Sequence, residues 1–111
     1  MWQQEILSEK SGSNRKVEVL KTYDTKLAQE AFSFMDERAR LALYQSLDVE
    51  EDFDPTDEDA LWSELIEAAR EDGNILSFFV VNESCGKSLI ARYVSPDYPS
   101  AEAFAESLIR A

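Results

Sequence analysis

Between residues 48 and 72 the chain carries twelve acidic side chains and a single base, Arg70, and this 25-residue stretch is what most constrains the fold. So many carboxylates cannot share a low-dielectric interior, so this quarter of the chain lies at the surface and the core is built from the rest. The whole chain has 23 acids and 11 bases, a net charge of −12, and the segment alone supplies 1 − 12 = −11. Residues 1–23 sum to +1, and 24–47 and 73–111 to −1 each, so the remaining surface is close to neutral.

The other three quarters hold enough apolar material for one core. Apolar residues are 44% of the chain, with six Phe, four Tyr and two Trp, which sets the sequence apart from a disordered acidic tail. At 111 residues there is room for a single domain, 1–111, and not for a second core.

Periodicity divides the chain into hairpins and helices. Residues 2–8 read as a strand leading into the turn cluster Ser11-Gly12-Ser13-Asn14. On the return strand Val17, Val19 and Tyr23 alternate with Glu18, Leu20 and Thr22. Asp24 or Thr25 then caps a helix whose Ala28, Phe32, Met35, Ala39, Leu43 and Leu47 fall on one face. No Gly or Pro interrupts 26–47, so one continuous helix is preferred over a break near Asp36 followed by a short strand through Leu41, Leu43 and Tyr44.

Adjacent carboxylates and Pro55 make 48–55 a loop. Thr56 reads as the N-cap of a helix that opens with Asp57-Glu58-Asp59, runs to about Glu71, buries Leu61, Trp62, Leu65, Ile66 and Ala69, and stops at Gly73. Ile75 to Asn82, apolar on both alternating faces, reads as a central strand. A tight Ser84-Cys85-Gly86 turn leads to a strand from Ser88 to Val94. Ser100 is the expected cap of a last helix with Phe104, Leu108 and Ile109 facing inward.

The expected fold is therefore α+β, in the order ββα-α-ββα, with a four-stranded, mainly antiparallel sheet and helices packed on one face. The two ββα units share a faint pattern: Asp24 and Asp97, Ala28 and Ala101 four residues on, then Phe32 and Phe104.

The chemical motifs exclude more than they suggest. The chain has no histidine, which removes the commonest general base near neutral pH and the usual activator of a Ser or Cys nucleophile. Lys87 beside Cys85 favours the thiolate, but with no base at hand Cys85 reads as an incidental turn cysteine. Gly86-Lys87-Ser88 copies the end of a phosphate-binding loop, yet Val81 stands where that motif needs Gly, and a strand rather than a helix follows. Asp52, Asp54 and Thr56 alternate like calcium ligands. The sixth position of that loop, however, is Asp57 rather than Gly, and the twelfth is Ser63 rather than Glu. No enzyme, no metal centre and no cofactor is expected.

A local acidic field attracts basic partners and speeds their approach. Clustered Lys and Arg are lacking, so direct binding to nucleic acid or to an anionic membrane is not expected. Capping accounts for Asp57, Glu58 and Asp59, but Glu67, Glu71 and Asp72 sit where a helix dipole disfavours anions, and such rule-breaking positions are where function is sought.

The expected role is a noncatalytic acidic module, inhibitor, antitoxin-like or nucleic-acid-mimic in type, that offers 48–72 to a basic protein, a nucleic-acid-binding protein being one such partner. The contacts are Asp52, Asp54, Asp57, Glu64, Glu67 and Glu71, with Phe53 as an apolar foot on the helix or an anchor for the partner. The alternative is a small-ligand or divalent-ion domain using the acidic loop. The single cysteine, the absence of an apolar run long enough for a membrane helix and the N-terminus, which lacks a signal-peptide pattern, point to the cytoplasm.

Overall fold

The computed structural model describes residues 4–12, 15–47, 49, 53–54, 56–70 and 75–110. In chain order they form β1 (Gln4–Ser11), β2 (Lys16–Thr22), α1 (Thr25–Ser33), α2 (Glu37–Ser46), α3 (Glu58–Ala69), β3 (Phe78–Cys85), β4 (Ser88–Ser95) and α4 (Tyr98–Arg110). The strands make one antiparallel sheet in the order β1-β2-β3-β4, so the α+β class and the four-stranded sheet are as expected.

The expected helix over 26–47 is two helices. Met35 N–H still reaches the Phe32 carbonyl, but Asp36 takes an extended conformation and its carboxylate accepts from Ala39 N–H at 2.9 Å, which starts α2 in a new direction. Residues 40–46 are accordingly helical. Ala28, Phe32, Met35, Ala39, Leu43 and Leu47 are nevertheless all buried, as their spacing requires.

Two other caps move by a few residues. Asp97 accepts from both the backbone N–H and the hydroxyl of Ser100, so Asp97 rather than Ser100 caps α4. At the start of α3, Thr56 spends its N–H and hydroxyl on Asp54, leaving Asp57 as the N-cap with Ala60 N–H as donor at 3.1 Å. The helix ends at Ala69 rather than Glu71 because Arg70 turns extended and bridges to Leu76. That bridge, together with Ser77 N–H donating to the Ala69 carbonyl, delays the third strand to Phe78 and leaves Ile75 half exposed. Gly73 lies outside the described residues. The second hairpin turns at Gly86-Lys87, where Gly86 has φ +63°, a left-handed conformation that costs glycine little.

The register fixes what each face of the sheet buries. Val17, Val19, Val81 and Tyr93 point to the side crossed by α4, where Tyr93 stacks on Phe104 with ring centroids 4.5 Å apart. Here Glu83, 8% exposed, receives Arg92 on one oxygen at 2.5 Å and Arg15 on the other at 3.2 Å, while Arg15 also donates to the Leu108 carbonyl.

To this helix-covered face the structure adds a second apolar layer. Leu20 and Thr22, which alternate with Val17 and Val19 along the strand, are buried opposite Val80 and Phe78, because β2 is an inner strand. Trp62 of α3 stacks on Phe78 at 6.2 Å and meets Phe32 of α1 at 5.2 Å. Tyr23, which continues the Val17 and Val19 alternation, is 45% exposed just past the strand end.

Candidate functional site

The acidic segment is anchored at three places. Before α3, Phe53 is half-buried and stacks on Tyr44 of α2, centroids 5.9 Å apart and planes 19° apart. At the first turn, Glu58 pairs with Arg40 of α2 at 2.5 Å. Along α3, Leu61, Leu65 and Ala69 are fully buried, with Trp62 and Ile66 packed against the core. Every fourth residue or so faces inward, which turns the intervening carboxylates outward.

The carboxylates expected to make contacts have distinct surroundings. Asp54 is exposed and accepts from Thr56; that hydroxyl and then its N–H hold the Asp54 carboxyl below its ordinary range. Asp57 is exposed but committed to the cap. Glu64 is half-buried and Glu67 exposed, and with Asp59 they make no ion pair among the described residues. From Asp57 to Glu67 the helix rises about 15 Å. Asp52 and Glu71 lie outside the described residues. Phe53 turns inward onto Tyr44 and so serves as the foot that holds this surface.

Elsewhere several acids are paired within the chain. Glu9 and Glu18 pair with Lys16, Asp36 and Glu83 with Arg92, and Glu102 and Glu106 with Lys10. Glu5, Glu30 and Glu37 make no ion pair among the described residues either, so the near-neutral charge elsewhere rests on nearly equal numbers of acids and bases, while α3 carries acids with almost no bases beside them. Among the described residues no three acidic or cysteine side chains converge as metal ligands.

Tyr44 and Arg40 were not found from the sequence. Both come from another element, and Glu58 is explained by the helix dipole alone, so nothing in the spacing announces their contacts. The buried Nε of Arg40 has no hydrogen-bond partner among the described residues and lies beside a pocket of about 290 Å³ to which Glu37, Leu41 and Thr56 contribute. Among the described residues no helix is long and apolar enough to cross a membrane. A scan against protein-family models gives no match, and neither curated proteins nor solved structures supply one.

Proposed function

We propose that this chain is a noncatalytic binding module of the cytoplasm that presents the surface of 48–72 to a basic protein. The observation that supports it most is the concentration of unpaired acids: Asp59, Glu64 and Glu67 make no ion pair among the described residues and lie in a segment with twelve acids and one base, whereas the strands and α4 pair most of their acids with nearby Lys and Arg. Carboxylates held along a rigid helix present negative charge as a row of phosphates does, so the fitting partner carries a phosphate-binding face: a nucleic-acid-binding protein, a nuclease or a toxin held inactive.

Rigidity matters to this reading. A helix packed through Leu61, Leu65 and Ala69 holds its charges in place before the partner arrives, which lowers the entropy cost of binding. The test is affinity capture from native extract at low salt by the wild type and by a variant carrying Asp59→Asn, Glu64→Gln and Glu67→Gln. A basic protein held by the first and lost by the second is the expected result. Identical retention by both contradicts the proposal.

A further inference from the structure

We propose that two copies of this chain pair through the first half of β4, joining their sheets edge to edge into one of eight strands. The inference is independent of the acidic surface and starts from a difference between the two sheet edges. An open edge presents unpaired backbone donors and acceptors, and proteins blunt it with charges, Pro, bulges or covering elements. The β1 edge is blunted: Glu5, Glu9 and Lys10 line it, a bulge interrupts it between Ile6 and Ser8, and Lys10 and Ser8 are tied to Glu102 of α4.

The β4 edge has no such protection over its first four residues. Ser88-Leu89-Ile90-Ala91 contains neither charge nor Pro, Leu89 is 65% and Ile90 49% exposed, and among the described residues the backbone here has no partner beyond the ladder to β3. Only from Tyr93 onward is the strand buried.

Charge and register point to a second copy as the occupant. Trp62 of α3 sits on Phe78, at the start of β3, while Leu89 flanks Ser84 near its other end. Six residues of strand put these about 20 Å apart, against a Debye length of about 8 Å at physiological salt, so the acidic surfaces of two copies do not oppose pairing at this end. A basic partner, by contrast, finds no carboxylate on this four-residue edge to read.

Arg92 is the extra residue where the ladder shifts between Val81–Tyr93 and Asn82–Ala91, and it is committed to Glu83 and Asp36. An antiparallel two-fold ladder that stops short of Arg92 is centred on Leu89, with Ser88 opposite Ile90 of the mate. In that register residues of equal parity face each other, so like faces of the two sheets continue across the junction and Leu89 packs on itself.

The test is sedimentation velocity over a concentration series for wild type, Leu89→Lys and Ile6→Lys, with circular dichroism as the check on folding. In parallel, Leu89→Cys in a Cys85→Ser background is mildly oxidised. A wild-type dimer that is lost in Leu89→Lys, kept in Ile6→Lys and trapped covalently through Leu89→Cys is expected. A wild type that stays monomeric at every concentration, or a dimer that survives Leu89→Lys or dissociates with Ile6→Lys, overturns the proposal.

Discussion

Phe53 lies against Tyr44 with ring centroids 5.9 Å apart, and this stack fastens the acidic loop to α2 just ahead of the helix that displays the unpaired carboxylates. Removing the ring therefore acts on stability. Phe53→Ala is expected to cost about 1–2 kcal/mol, less than a fully buried Phe because the side chain is half-exposed, and Phe53→Leu to keep most of that. Urea denaturation followed by tryptophan fluorescence measures both. An effect below about 0.5 kcal/mol for the alanine variant indicates that the stack anchors nothing.

Acids at the two ends of α3 act on stability with opposite signs. Asp57 caps the helix, so Asp57→Ala loses about 1 kcal/mol. Glu67 stands in the last turn without a base in that turn, and Glu67→Gln is expected to be neutral or to stabilise by a few tenths of a kcal/mol. Thermal unfolding of the two variants at low ionic strength gives the comparison. A loss of stability in Glu67→Gln speaks against a carboxylate kept there at a cost.

On the α4 side, Glu102 is held below its ordinary pKa of 4.5 chiefly by Lys10, then by the Tyr98 hydroxyl. A depressed folded value means that this carboxylate contributes stability above its unfolded pKa and loses it as pH falls through the lower, folded one. Lys10→Met removes the main cause. The carboxyl resonance of Glu102, followed by NMR from neutral pH downward, is expected to titrate at a higher pH in the variant than in the wild type. An unchanged midpoint contradicts the assignment of Lys10 as the cause.

How far these features could be read in advance depended on whether their cause was local. The hairpins, the apolar faces of the helices and Asp24 as a cap rest on alternation, period and short-range hydrogen bonds, all visible in neighbouring residues. The sequence admits a break near Asp36 but favours one helix, because Met35, Ala39 and Leu43 keep helical spacing straight through it and no Gly or Pro marks it; the chain after the break is helical, not a strand. The second apolar layer was hidden because it depends on which strands are interior: Leu20 looks outward along β2 until Val80 is placed opposite it. At the candidate site, the exposure of Glu67 followed from the pattern of α3, while its cap lies at Asp57 because Thr56 turns to Asp54, and the holds by Tyr44 and Arg40 come from a different helix.

The most direct test of charge-directed recognition is the dissociation constant of a captured basic partner as a function of salt. It is measured for the wild type, for the Asp59→Asn, Glu64→Gln, Glu67→Gln variant, and for a control that neutralises acids elsewhere through Glu5→Gln, Glu30→Gln and Glu37→Gln. The account predicts that affinity falls steeply with salt for the wild type and the control, and that the α3 variant binds weakly with a shallower dependence. Equal affinities and equal salt slopes for all three would contradict it, and would mean that the acids of α3 are a solvated face.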